Sequence, residues 1–327
     1  MPDVVQRLSH TLITPPRRRS TVVQLTTIAI VALSVVMLGV LPAADAHTAA
    51  KPKSKAGTPA GVPVYDPAAA ALLPASIRSS KVINVGGDIG VPPLDYYKDG
   101  TTTLIGSDID LGQAIAKTLG VKWNVSVVNF AQLVTGVASG QFDLAMGDIG
   151  DTQLREPQTS FVDYMWLNFS LLYPNSNPAN IHSLLDICGK QVGFFQGGAT
   201  SVLNSVDALC AAAGLPPENV ITYADLSTDL TALQAGRVDG QVNLTPLADY
   251  YVKAGVLKAF PVPQLGNLQI GIAVAPSNTA LQAALVKALK DLEANGTYAK
   301  ILAKWGLTSL ADKTPGVNTG IQATLYG

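Results

Sequence analysis

From Lys81 onward, apolar and polar positions alternate between two periods. Lys81 to Gly86 is a short apolar run of strand length. After Ser107-Asp108, which reads as a helix N-cap, Leu111, Ile115 and Leu119 recur at helical spacing. Trp123 to Phe130 alternates as a strand, Gln132 to Ser139 forms a helix that Gly140 can end, and Phe142 to Met146 returns as a strand. Leu167 to Tyr173 and Leu268 to Val274 are apolar and extended. Between them the pattern predicts strand 191–195, helix 200–213, strand 220–223, helix 228–235 and strand 240–244. Helices at 280–294 and 298–305 follow Pro276. Strand and helix alternating in this way predict an α/β fold, a mostly parallel sheet covered on both faces.

The segment Val134-Thr-Gly-Val-Ala-Ser-Gly140-Gln-Phe-Asp143 repeats as Leu230-Thr-Ala-Leu-Gln-Ala-Gly236-Arg-Val-Asp239. In each copy a helix buries two apolar residues, stops at Gly and feeds a strand through Asp. Two copies of one unit predict two lobes of similar construction, and two extended segments between them predict a hinge. Lobe 1 is expected at 81–169 and 272–312 and lobe 2 at 170–271, with a tail at 313–327.

The first 80 residues have a different character. Arg17, Arg18 and Arg19 precede an apolar run from Leu25 to Leu41, and Ala44-Asp45-Ala46 follows. Residues 1–46 therefore read as an export signal or, alternatively, as an uncleaved membrane anchor, the only expected membrane contact. The Ala-, Pro- and Lys-rich residues 47–80 lack an apolar period and read as a tether. Of the 327 residues, 48% are apolar and 14% charged, a core-forming balance. A net charge of −1 gives no reason to expect nucleic-acid binding. In an exported chain, Cys188 and Cys210 are expected to form a disulfide, the alternative being two buried thiols. His182 is the only histidine after the tether, so no metal site and no cofactor are expected.

Several motifs then appear in order: Gly106-Ser-Asp108-Ile-Asp110-Leu, Asp143-Leu-Ala-Met146 with Asp151-Thr152-Gln-Leu-Arg155, Gly189-Lys-Gln-Val-Gly193, Gly236-Arg-Val-Asp239, and Gly296-Thr-Tyr-Ala-Lys-Ile-Leu-Ala-Lys304-Trp305-Gly306. Together they resemble the family-3 extracellular solute-binding proteins, which serve ABC importers of polar amino acids. The resemblance spans about Lys81 to Leu307. It implies the two-lobed periplasmic-binding-protein fold of type II, with two crossover strands, a small-molecule ligand in the cleft, an ABC permease as partner and a monomeric working unit.

Under that resemblance Arg155 holds the ligand's carboxylate, a task suited to a planar guanidinium with paired donors. Gly150 and Thr152 supply backbone and hydroxyl donors, Phe130 an aromatic surface, and Gly198, Ala199 and Thr200 a helix N-terminus that favours an anion. Two positions depart from the family pattern. Val91 stands where a tyrosine usually packs on the ligand, and Leu244 stands where an acid usually pairs with an α-ammonium. A buried ammonium without a partner costs several kcal/mol, on the order of the desolvation penalty for an ion. When the repeats are aligned, Asp148 falls opposite Leu244, so Asp148 or Asp88 is a candidate replacement. Otherwise the ligand lacks an ammonium.

The function expected is a solute-binding protein of an importer, with no enzymatic activity. The alternative is a periplasmic enzyme resembling cyclohexadienyl dehydratases, in which carboxylates such as Asp148 or Asp88 would be the only acid–base groups. A sensory module would need a separate signalling partner.

Overall fold

The computed structural model describes residues 61–320. The signal or anchor at 1–46, the tether as far as residue 60, and residues 321–327 of the tail lie outside the described residues.

The tether reading fails before Lys81. Helix α1 spans Pro67–Leu72 and helix α2 spans Ala75–Ser80. Asp66 caps α1 by accepting the Ala68 N–H at 2.8 Å, and Pro67 occupies a first-turn position that needs no N–H donor. Ala69, Leu73 and Ile77 are buried in the main core, and Lys287 grips Asp66 at 2.6 Å. Small alanines and two prolines conceal this stripe in the sequence, because it carries only two large aliphatic anchors.

Strand β1 (Val82–Gly87) leads through the short antiparallel pair β2 (Tyr96–Tyr97) and β3 (Leu104–Ile105) to α3 (Ser107–Leu119) and β4 (Lys122–Val127). A 3-10 turn at Phe130–Gln132, α4 (Leu133–Ala138) and β5 (Leu144–Ala145) follow, and β1 pairs in parallel with both β4 and β5. Phe130 thus leaves the strand in which it was expected and enters the turn. Ser107-Asp108 is not a side-chain cap either: Gly106 is the N-cap residue, and Asp108 points into the protein. Gly106 has φ 138°, and a side chain there would collide with the Leu94 carbonyl, so only glycine fits.

Strand β6 (Ser160–Pro174) is much longer than its apolar signal. Its first half pairs with a late strand, β11 (Asn267–Val274), and its second half with two strands of the other lobe. That lobe contains β7 (Gln191–Phe195), α5 (Thr200–Ala212), β8 (Asn219–Tyr223), α6 (Leu226–Gln234), β9 (Gln241–Leu244), α7 (Thr245–Lys253) and β10 (Leu257–Pro261). β7 and β8 are parallel, and a Val192–Gly240 bridge joins them to β9. β11 then pairs with β5, and α8 (Thr279–Ala294) and α9 (Thr297–Trp305) close the first lobe. β6 and β11 are the two crossings.

The two copies of the repeat make the same bonds. Gly140 and Gly236 end their helices at φ 76° and 66°. The Asp143 carboxylate accepts the Asn84 N–H of β1 at 2.7 Å, and the Asp239 carboxylate accepts the Gln191 N–H of β7 at 3.0 Å. Each aspartate thereby locks its helix-to-strand turn to the first strand of its own lobe.

Cys188 and Cys210 form a disulfide that ties the 3-10 turn Leu184–Ile187 to α5. The first part of the expected tail also packs. Val317 bridges to Val162, the Phe161 N–H donates to the Asn318 side chain at 2.7 Å, and the Thr319 N–H and hydroxyl donate to Asp163 at 2.7 and 2.9 Å. Residues 313–320 are thus a strap along the outer edge of β6. Asp163, buried in a strand, requires these donors, and local sequence does not reveal that need.

Candidate functional site

Arg155 sits at the meeting of the two lobes. It follows β5 on the loop that enters β6, and its half-buried guanidinium reaches both lobes. One nitrogen donates to the Gly150 carbonyl at 2.9 Å, and another to the Gly197 carbonyl, ahead of α5, at 2.8 Å. The guanidinium carbon lies 5.4 Å from the centre of the Phe130 ring, close enough for a cation–π contact. Phe130 in turn meets Phe195 of the opposite lobe edge-on at 5.6 Å. Gly197, at φ 87°, lies so close to Ala131 that an added Cβ would fall 2.8 Å from the Ala131 Cα. Glycine there lets the lobes touch.

Between these contacts lies a cavity of about 50 Å³. Arg155, Asp148, Gly150 and Phe130 line it from the first lobe, and Gly198, Ala199 and Leu244 from the second. Seven of the residues proposed from the sequence thus share one cavity. Asp88, Thr152 and Thr200 do not line it. Thr152 stays behind Arg155, its carbonyl accepting the Arg155 N–H at 2.9 Å. Thr200 is exposed on the first turn of α5. Asp88 is partly buried and electrostatically coupled to Asp225.

Further lining residues were not proposed from the sequence. Phe169 and Leu268 come from the two crossing strands, and Phe194, Phe195, Val202, Leu203, Val242 and Asn243 from the second lobe. Most read as core positions, because an apolar residue facing a cleft has the same sequence pattern as one facing a core.

Asp148 has the most constrained environment. Its backbone is left-handed at φ 45°, and its N–H donates to Asp108 at 3.3 Å. Asp108 also accepts the Tyr164 hydroxyl at 2.6 Å. The first acid of the Gly106–Leu111 motif therefore shapes the cleft loop. The second, Asp110, accepts Lys304 at 2.6 Å and the Trp305 indole at 2.8 Å, tying down α9. The Asp148 Oδ1 is buried without a hydrogen-bond partner among the described residues. Burial holds the Asp148 carboxyl well above the usual carboxylate range, Asp88 and Asp108 push it further up, and Arg155 opposes them. Burial also lowers the Arg155 guanidinium to about 10, against the pull of Asp148 and Asp151. A cationic donor arriving at Oδ1 would favour the charged carboxylate.

On the opposite wall, Leu244 ends β9 where an acid was expected, and it is 6% exposed. Next to it, the Asn243 Oδ1 accepts the Leu244 N–H at 2.7 Å, while its Nδ2 is buried without a partner. Among the described residues no cluster of His, Cys, Asp or Glu is arranged to hold a metal ion, and no helix is long and apolar enough to cross a membrane.

Comparison with known proteins agrees with this arrangement. An ancestral arginine-binding protein bound to arginine superposes with a TM-score of 0.60 at 32% identity, covering 69% of this chain and 98% of that one. An ancestral amino acid-binding protein described as a precursor of cyclohexadienyl dehydratase superposes at 0.61 with 26% identity, covering 70% of this chain and 97% of that one. The arginine-binding extracellular protein ArtP of Bacillus subtilis is 28% identical over 70% of this chain and 88% of its own. The model of the bacterial extracellular solute-binding proteins, family 3, matches residues 83–308. With both lobes and both crossing strands inside that match, the chain belongs to the bacterial extracellular solute-binding proteins of family 3.

Proposed function

We propose that this protein captures an α-amino acid outside the cytoplasm, closes its lobes around it and delivers it to the permease of an ABC importer. One observation carries the reading: Arg155 spans the cleft, bonded to Gly150 on one side and Gly197 on the other, within a cavity that both lobes line. The guanidinium lies where it can exchange those carbonyls for a ligand carboxylate, and the first turn of α5 supplies further N–H donors. Asp148 takes the α-ammonium, in place of the acid missing at Leu244. The names of the relatives favour binding over catalysis, and the cleft acts by binding alone.

Thermal unfolding of the full-length chain, refolded to strip carried-over ligand, tests this against a panel of amino acids and prephenate. A ligand at one hundred times its dissociation constant adds about 2.7 kcal/mol of stability, a readily measured shift. Asp148→Asn is expected to weaken amino-acid binding about tenfold or more, the effect of losing a charged hydrogen bond. Unchanged affinity in that variant would remove Asp148 from the grip, and turnover of prephenate would replace the binding role with an enzymatic one.

A further inference from the structure

The cavity contains two charged side chains, Arg155 and Asp148, and both stand on the first lobe. The proposed function assigns one to the ligand's carboxylate and the other to its ammonium. No charge then remains in the cavity for a third ionised group. The wall that faces them consists of Phe194, Phe195, Val202, Leu203, Val242 and Leu244. Phe169 and Leu268 on the crossing strands continue the same apolar lining. Asn243 is the polar side chain the second lobe adds, and its one open group is a donor, which repels a cation as it welcomes an acceptor. Asp88, the other acid proposed from the sequence, stays outside the lining, where its charge acts on Asp148 and where burial, with Asp225, raises its own pKa.

A guanidinium or ammonium at the end of a long side chain would therefore leave water for an apolar wall with no counter-charge, which is strongly unfavourable. An aliphatic side chain gains from the same wall, since burial of apolar surface is favourable in proportion to its area. The cavity's volume of about 50 Å³ is also small beside the ~300–1,000 Å³ of a drug-sized site, which favours a compact ligand.

We infer that the cleft selects an α-amino acid with a compact, uncharged, apolar side chain of valine-to-leucine size, unlike the arginine named for several of its relatives. Val242, Leu244 and Asn243 set that choice on β9. The inference rests on the reading of Arg155 and Asp148 as the grip on the zwitterion.

Calorimetric titration of the full-length wild-type protein with L-leucine, L-valine, L-arginine and 4-methyl-2-oxopentanoate decides it, and because the wild type is used, no variant's folding enters. Leucine or valine binding at least a hundredfold more tightly than arginine is the expected result. Arginine binding as tightly as leucine, or more so, overturns the selection while leaving the zwitterion grip standing. Binding of the oxo acid in preference to leucine removes the ammonium site at Asp148 and overturns both readings, as does failure of all four ligands to bind.

Discussion

The two walls of the cleft come from related strand–helix units yet differ in chemistry. The first lobe presents Arg155 and a buried acid, Asp148, supported by Asp108 and Tyr164. The second presents aromatic and aliphatic side chains and one amide. The frameworks beneath are alike, down to Asp143 and Asp239 making equivalent bonds to β1 and β7. Chain direction and turns are thus shared between the lobes, while the residue that follows each strand is free to diverge. Asp148 stands in the loop after β5 and Leu244 at the end of β9, and both line the cavity, so the first wall carries an acid and the second a leucine. The lobes are also fastened differently. A disulfide staples the second, and the helices ahead of β1, held by Lys287 and Asp66, brace the first.

The sharpest way to break this contrast is at Arg155. Arg155→Ala removes the guanidinium proposed to hold the ligand's carboxylate, and losing one partner of a buried charge pair of that kind costs about 2–5 kcal/mol, roughly thirtyfold or more in ligand affinity. Calorimetry with the best amino-acid ligand measures it. Loss limited to a few-fold would mean that the first lobe does not dominate recognition. The fastenings come next. Replacing both Cys188 and Cys210 by Ser opens a loop of 22 residues and is expected to lower stability by about 3 kcal/mol in urea unfolding. Ile77→Ala, in the brace of the first lobe, is expected to cost about 2 kcal/mol, the low end for a buried Ile, because α2 is short and can relax. A cost near zero would return residues 61–80 to the role of a tether.

A change of pH acts on both lobes at once. Burial pushes Asp163 up to about 7 and Asp151 up to about 8. Both values exceed the ~3.9 of an unfolded aspartate, so the native state binds more protons through that interval, and stability falls as pH rises from about 4 to about 8. The second lobe contributes in the same direction through Asp229, which burial raises to about 7. Thermal midpoints are expected to be higher at pH 5 than at pH 8, and Asp163→Asn should flatten the slope. A midpoint that rises with pH would contradict these assignments.

Much of the framework could be read from sequence, because strand and helix periods, glycine stops and the repeated Asp turn all act within a few residues. Residues 191–195 and 200–212 form a strand and a helix as their pattern implies. Arg155 and the disulfide could also be found, the first through its motif and the second through export and cysteine count. The strap at 313–320 could not. Asp163 needs donors from Thr319, which lies far along the chain, and only the closed fold brings them together.

The cleft marks the same division. The sequence pattern placed Phe169, Val202 and Val242 in apolar strands and a helix, since a period of two or of 3.6 depends only on the chain's own geometry. Whether an inward face meets a core or a ligand cavity depends on what stands opposite, and that was decided by two crossing strands holding one lobe against the other. The sequence likewise contained the exchange of Asp148 for Leu244. Tertiary structure decided that this exchange puts every charge of the cavity on one wall, because only there do the loop after β5 and the end of β9 line one cavity.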